Sequence, residues 1–187
     1  MEITKMIHDW QTGDREALDQ LMNHVYGELR QIAAHQLRGQ RQQQSLTPTL
    51  LVHEAYLKLH QRENLSVRDR THFFALAAHV VRGILVDHIR EQSAAKRGGG
   101  ELRITLDDDL AEKGPNITDI TALDQGLKKL AKQDHQMMKI VELKFFGGLS
   151  MEEISQALEI SQATVFRKYK LARIWLYRFF KGADQPA

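Results

Sequence analysis

The chain has 187 residues, 42% of them apolar, and a formal net charge of +2. This length and apolar content suit one generous or two small globular domains with buried cores, which excludes a disordered tail. Because the sequence contains no cysteine, disulfides, thiolate zinc sites and cysteine nucleophiles are excluded, and the compartment we expect is a reducing cytoplasm.

Residues 1–95 are predicted to form four helices around one core. The helices cover about residues 3–11, 14–38, a third from 48 onward, and 71–91. Asp14 and Thr47 are the expected N-caps, and Pro48 suits a first helical position. The opening stretch "MEITKMIHDW" lacks the apolar core of a signal peptide, and no run reaches the roughly 20 apolar residues of a bilayer span. We therefore expect a soluble intracellular protein with no membrane partner.

Residues 96–120 interrupt the helical pattern. Three consecutive glycines, a Gly-Pro pair and the triplet Asp107–Asp109 disfavour a stable helix or strand. Residues 98–120 contain 2 basic and 6 acidic residues. Residues 1–97 contain 13 basic and 11 acidic residues, and residues 121–187 contain 11 basic and 7 acidic residues. The charge therefore runs basic, acidic, basic along the chain, and a flexible acidic linker between two domains is predicted.

The second domain, residues 121–183, is also predicted to be helical, with helices over about 121–131 and 134–146 and two more after them. Gly147 and Gly148 can end one helix, and Ser150 and Glu153 form an S-x-x-E capping box that starts the next. Ser161 caps the last helix almost immediately afterwards. Two short helices joined by a tight turn predict a helix-turn-helix. The sequence has no sustained alternation of apolar and polar residues and no Asn-Gly or Asp-Gly hairpin turn, so the predicted fold class is all-α.

The last helix has one apolar and one basic face. On a helical wheel, Val165, Tyr169, Ala172, Leu176 and Phe179 form a stripe that we expect to be buried. The opposite face carries part of the six Lys/Arg residues that positions 161–181 hold without any acid. A basic face is often only a solvated surface, but here it coincides with a capped two-helix unit, which favours nucleic-acid binding.

The N-terminal end of a recognition helix reaches base edges in the major groove. Arg167, at the centre of the basic face, can pair with a guanine, and Thr164 or Phe166 can touch a thymine methyl. The remaining cations are expected to contact phosphates, where they position the helix on DNA without reading its sequence. They are Lys168, Lys170 and Arg173.

Three segments, in order, make the chain resemble a known family. "GLSMEEISQALEISQATVFRKYKLAR" resembles the promoter-reading helix-turn-helix of bacterial sigma factors of the two-domain extracytoplasmic-function group. "LLVHEAYLKL" resembles their helix that grips the clamp helices of RNA polymerase, and "HFFALAAHVVRGILVDHIR" resembles their segment for the minus-ten promoter element. The resemblance implies a non-enzymatic sigma factor that binds core RNA polymerase and promoter DNA and initiates transcription. It also admits an anti-sigma protein as a partner.

The resemblance implies three sets of site residues. For core polymerase they are Leu51, Val52, Glu54, Ala55, Leu57, Lys58 and Leu59. For the downstream, minus-ten element they are Asn64, Arg68, His72, His79, Arg82, Gly83, Asp87 and Arg90. For the upstream, minus-thirty-five element they are Ser161, Gln162, Ala163, Thr164, Phe166, Arg167, Lys168, Lys170, Leu171 and Arg173. The acidic linker suits a family segment that occupies the path of nascent RNA, because like charges repel.

Several positions depart from the family pattern. The chain has "TPT" at 47–49, where the family often has aspartates. Leu76 and Ala78 stand where an aromatic pair is common, and Gly83 stands where an asparagine is often found. Phe73 and Phe74 remain nearby, but adjacent aromatics on a buried helix are expected to pack into the core.

Metal and small-molecule chemistry finds no support in the sequence. "HEAYL" at 53–57 begins like a zincin motif, but Leu57 stands where the second histidine ligand must fall. The triplet Asp107–Asp109 lacks EF-hand spacing, and the glycines at 98–100 lack the G-K-[ST] of a phosphate loop. We expect no cofactor, metal or small-molecule substrate. One alternative stays open, a stand-alone helix-turn-helix regulator whose first domain senses a ligand or dimerises.

Overall fold

The computed structural model describes residues 2–37, 46–62, 67–95, 104–105, 116–117 and 120–182. In this part of the chain, eight helices account for nearly all of the structure, which confirms the all-α class. The elements are α1 (Glu2–Gln11), α2 (Arg15–Gln36), α3 (Pro48–His60), α4 (Arg70–Ala95), β1 (Ile104–Thr105), β2 (Asn116–Ile117), α5 (Ile120–Gln133), α6 (His135–Gly147), α7 (Met151–Leu158) and α8 (Gln162–Phe180).

Side-chain caps start the helices where the sequence predicts them. Asp14 accepts hydrogen bonds from the N–H groups at the start of α2, and Thr47 accepts one at the start of α3. Ser150 and Glu153 form the complete capping box of α7, and Ser161 caps α8. Each cap satisfies a backbone donor that the helix leaves unpaired, which stabilises the helix by about 1 kcal/mol.

The strand pair corrects one expectation about the linker. Ile104 pairs with Ile117 and Thr105 with Asn116 in a two-residue antiparallel ladder, whereas the composition of residues 96–120 predicted no strand. The other residues between 96 and 119 lie outside the described part of the chain. The ladder is so short that it leaves the fold class unchanged.

Helix α4 is the central element of the molecule. Phe73 and Phe74 are fully buried, as the sequence predicts. The segment from Arg70 to Glu91 is long and apolar enough to cross a bilayer, but 61% of its most apolar window is buried inside the bundle. Its apolar character is therefore that of a core helix in contact with both halves of the chain.

The two halves pack against each other in one structure. Helix α6 of the second half lies along α4, and the buried apolar residues of both halves belong to one continuous cluster. At the end of α6, Gly148 adopts the left-handed conformation, φ +65°, directly against the side chain of Ile32 in α2. The buried Gln36 side chain donates a hydrogen bond to the carbonyl of Phe145. The halves are thus joined by apolar contacts as well as by the polar ones described below.

Candidate nucleic-acid interface

Helix α8 buries one face and leaves the other open. Val165, Tyr169, Ala172 and Leu176 are buried, as the helical wheel predicts, whereas Phe179 near the end of the helix is only half-buried. On the opposite side Phe166 is 51%, Leu171 50% and Ile174 45% exposed, and Arg167 and Lys170 lie between them on the surface. Large apolar side chains left this exposed next to cations are available to a partner.

The turn between α7 and α8 aims this face. Glu159 ends α7 in the left-handed conformation, φ 54°, and the Ser155 hydroxyl donates to the Ile160 carbonyl over 2.5 Å. At the start of α8 the Ser161 hydroxyl lies 2.9 Å from that of Thr164 and accepts a hydrogen bond from the Thr164 N–H. Ser161 and Thr164 therefore help to build the turn, while Gln162 and Ala163 beside them are exposed.

The basic residues of α8 are not equivalent. Lys168 forms an ion pair with Asp134, the N-cap of α6, and its side chain is half-buried. The guanidinium of Arg173 lies 5.9 Å from the ring of Tyr169. Although burial raises the pKa of Asp134, the hydrogen bond from Lys168 helps to hold it below its ordinary value. Lys168 is thus engaged inside the protein, whereas Arg167 and Lys170 have no ion pair within the described residues.

Arg82 lies in a position that the sequence did not predict. Expected on promoter DNA, it is instead buried between α5 and α6, where its guanidinium donates to Asp124 over 2.9 Å and to Glu142 over 2.8 Å. In this arrangement Arg82 cannot reach DNA. Binding of promoter DNA by Arg82 stays a prediction, and the packed form does not allow it because two buried carboxylates hold the charge of Arg82.

Both carboxylates titrate below their usual range. Burial alone would raise the pKa of Glu142, but hydrogen bonds from His79 and Arg82 hold it below its ordinary value. Burial likewise opposes the shift of Asp124, whose pKa is lowered by hydrogen bonds from Lys128 and Arg82. Both groups are therefore anions at neutral pH, as a buried guanidinium requires.

Other residues expected at the downstream element also meet the second half. Arg68 donates to Glu159 over 2.6 Å, His79 lies 3.3 Å from Glu142, and Arg90 lies 3.7 Å from Asp124.

The remaining members of the predicted downstream set contact their own half or open space. His72 is hydrogen-bonded to Asp69 and Arg68, and Asp87 pairs with Lys58 over 3.3 Å. Gly83 has open space where a side chain would stand. Asn64 lies outside the described residues.

Helix α3 divides the residues expected on core polymerase into two groups. Leu51, Val52, Ala55 and Leu59 are buried in the core of this structure and are not presented to a partner. Their contact with core polymerase stays a prediction. Glu54 is half-buried, and Leu57 and Lys58 are exposed. A surface contact through α3 is therefore restricted to its outer face.

A groove of about 580 Å³ between α2 and the start of α3 was missed by the sequence analysis. Its walls include Tyr26, Leu50, His53 and Tyr56, and the Tyr56 hydroxyl donates to Asp19 over 2.7 Å. That hydrogen bond raises the pKa of Tyr56. The signal available in the sequence was Tyr26, an aromatic residue directly after the buried Val25 and therefore on a different face of α2. Its side chain is 39% exposed.

The family model described as ECF sigma factor matches residues 1–181, which is all but the last six residues of the chain. No curated protein matches the sequence.

Proposed function

Because the chain belongs to the ECF sigma factors, we propose that it binds core RNA polymerase and directs initiation at promoters with a specific sequence. Residues 121–183 would read the upstream element, residues 1–95 would bind core polymerase and the downstream element, and residues 96–120 would connect them. The observation that carries the proposal is the uncovered face of α8, where Arg167 and Lys170 alternate with exposed apolar side chains.

The chemistry of this face suits a major groove. Arg167 lies in the second turn of a capped helix, with Gln162 and Ala163 exposed ahead of it. A guanidinium at this position can donate two hydrogen bonds to a guanine edge, and an exposed Phe166 can pack on a thymine methyl. Lys170 supplies a phosphate contact, but Lys168 would have to leave Asp134 to do the same.

On core polymerase, the outer face of α3 and the adjacent groove are the contact surface we propose. Leu57, 44% exposed, and Lys58 present an apolar and a cationic group there. The groove adds Tyr26 and Leu50, two further exposed apolar side chains. Tyrosine is enriched at the energetic centre of protein interfaces.

Run-off transcription with core RNA polymerase and a library of randomised promoters tests the proposal directly. The wild-type chain should co-elute with core polymerase and enrich a defined pair of promoter elements. Absence of both co-elution and enrichment, with core polymerase of the chain's own host included, contradicts the proposal. Enrichment of an upstream element without any binding to polymerase would favour a stand-alone regulator.

Arg167→Ala tests the reading face against a matched control. Loss of one bidentate base contact is worth about 1–3 kcal/mol, so selection at one upstream position should relax by roughly one to two orders of magnitude. Arg178→Ala makes the same charge change on the same helical face, eleven residues further along α8 and away from the N-terminal turns. It should leave the selected sequence unchanged. Equal effects of the two substitutions would show that Arg167 contributes only charge.

A further inference from the structure

Two arginines assigned to the downstream element, Arg68 and Arg82, and the adjacent Arg70 pair with acidic side chains of the second half. The pairs are Arg68–Glu159 at 2.6 Å, Arg70–Glu153 at 3.0 Å, Arg82–Glu142 at 2.8 Å and Arg82–Asp124 at 2.9 Å. We call these four pairs the clasp. The basic partners belong to α4 or to the residues just before it, and the acids belong to α5, α6, α7 and the residue that ends α7. Carboxylates thus stand where phosphates would otherwise neutralise the cations.

The clasp has a buried centre and an exposed rim. The Arg82 side chain is 11% exposed, and its two acids are 6% and 8% exposed, whereas Arg68 and Glu159 are 60% and 66% exposed. Exposed pairs are weak and are screened by salt, but removing one member of a buried pair leaves an uncompensated charge. The Arg82 pairs therefore dominate the polar part of the contact.

The clasp also sets the distance between the two surfaces proposed to read DNA. Glu159, two residues before Ser161 at the start of α8, is hydrogen-bonded to Arg68, a residue assigned to the downstream element. On a promoter, minus-ten and minus-thirty-five elements are about 25 base pairs apart, or roughly 85 Å at 3.4 Å per base pair. A molecule held by the clasp cannot occupy both elements at once.

We propose that the clasp is an autoinhibitory contact, in which the acids of the second half compete with the downstream promoter element for the basic side chains of α4. This inference rests on the proposed function, because it assigns α4 to promoter DNA. In the clasped form Arg82 is withheld from DNA, and engagement of the downstream element requires the two halves to separate. The reading face of α8 takes no part in the clasp, and its side chains stay exposed. The clasped form therefore retains upstream-element binding and loses initiation.

A reversible cross-link can hold the clasp closed. The Cβ of Ala78 lies 3.1 Å from the point where a Cβ on Gly147 would stand, and the chain has no cysteine of its own. Disulfides need Cβ atoms roughly 3.8 Å apart, so a displacement of less than one ångström allows Ala78→Cys/Gly147→Cys to form one bond between the halves. The same protein is then compared oxidised and reduced. The single variants Ala78→Cys and Gly147→Cys are controls for the substitutions themselves.

Two readouts are needed, run-off transcription with core polymerase and binding to a double-stranded fragment that carries only the upstream element selected by the wild-type chain. We expect oxidation of the double variant to reduce run-off by at least about tenfold, since the competent fraction sets the apparent affinity. Reduction should restore run-off. Binding to the upstream fragment should change by less than about twofold. An oxidised form that initiates as well as the reduced form overturns the proposal.

Neutralising acids of the clasp tests it from the opposite direction and does not depend on the cross-link. Glu142→Gln/Glu153→Gln removes two charges, while the glutamine introduced on α7 can still serve the capping box. We expect a larger radius of gyration and run-off that saturates at roughly threefold or more lower protein concentration. Glu152→Gln, the neighbouring substitution on α7, removes a charge that forms no ion pair among the described residues and should change neither. An unchanged radius and unchanged saturation in Glu142→Gln/Glu153→Gln overturn the proposal.

Failure of the proposed function gives a different result. The wild-type chain, which has no cysteine, would then fail to initiate under either redox condition. In that case the proposed function and the role of the clasp are both contradicted, whereas loss of redox dependence alone contradicts only the clasp.

Discussion

Two arginines on α4 show how burial decides the value of an ion pair. Both Arg82 and Arg90 contact Asp124, at 2.9 and 3.7 Å. The side chain of Arg82 is 11% exposed and that of Arg90 is 56% exposed. Water screens the Arg90–Asp124 pair but not the Arg82–Asp124 pair. Two arginines that contact the same acid therefore contribute unequally to the stability of the fold.

Arg82→Met should therefore lower the free energy of unfolding by about 3 kcal/mol, because it removes the buried cation between Glu142 and Asp124. Among the described residues, these buried acids then keep only the more exposed partners His79, Lys128 and Arg90. Arg90→Met, the matched control, should cost at most about 1 kcal/mol. Urea unfolding of both variants at neutral pH measures the difference. Similar losses in the two variants would mean that Arg82 is hydrated in solution and the buried centre of the clasp does not persist.

Acid should weaken the same contact. The pKa of Glu142 is lowered in the folded protein from its ordinary value of 4.5, since His79 and Arg82 outweigh the opposing effect of burial. A group whose folded pKa is depressed contributes stability above its unfolded pKa, and this contribution is lost as the pH falls through the folded value. The free energy of unfolding should thus decline below about pH 4.5.

Glu142→Gln isolates this contribution to the pH dependence. Its unfolding free energy should fall less steeply with acid, by up to about 1.4 kcal/mol per pH unit for one proton. The remaining slope belongs to other carboxyl groups with lowered pKa values, Asp69, Asp124, Asp134 and Glu153. Parallel slopes for wild type and variant would assign the acid sensitivity to those groups alone.

At the scale of elements, the sequence predicts what local chemistry determines. The caps at Asp14, Thr47, Ser150 and Ser161 depend on residues within one turn and are confirmed. The buried stripe of α8 is confirmed at four of its five positions, and the fifth, Phe179, is half-buried. The strand pair was not predicted, because Ile104 and Ile117 pair across thirteen residues without a hairpin signal. On α3, Leu51, Ala55 and Leu59 recur every four residues and are buried together, as helix periodicity predicts. The resemblance nevertheless grouped them with the exposed Leu57 and Lys58.

Gly148 is an element-scale position where both backbone and packing require glycine. It ends α6 with φ +65°, and an added Cβ would stand 2.8 Å from the side chain of Ile32. Gly148→Ala should destabilise the protein by about 1–3 kcal/mol, through backbone strain and overpacking. Gly27→Ala is the control, because Gly27 is helical, exposed and free of neighbours. It should stabilise the fold by up to about 1 kcal/mol. Thermal unfolding of both variants separates the two cases, and a neutral Gly148→Ala would argue against the tight contact between α2 and the end of α6.

At the scale of the whole molecule, the contact between the halves could not be predicted from the sequence. The partners of the clasp are 42 to 91 residues apart along the chain, and no local pattern relates Arg82 to Asp124 or Arg68 to Glu159. The resemblance assigned both arginines to DNA. The phosphates of DNA are negatively charged, as the carboxylates of the clasp are. A surface that binds phosphates is, for this reason, also a surface on which an acidic part of the same chain can dock.

The distance between the halves should depend on the partners that are present. Gln20→Cys on α2 and Lys132→Cys on α5 provide two exposed positions, one in each half, for fluorescent labels. Since the free chain is held by the clasp, we expect a single population with high energy transfer. A compact chain of this length has a radius of gyration of about 16 Å. Core polymerase with promoter DNA should shift the molecules to low transfer, because the two elements are roughly 85 Å apart. Low transfer in the free chain would contradict a closed resting form, and high transfer on a productive promoter would contradict separation of the halves.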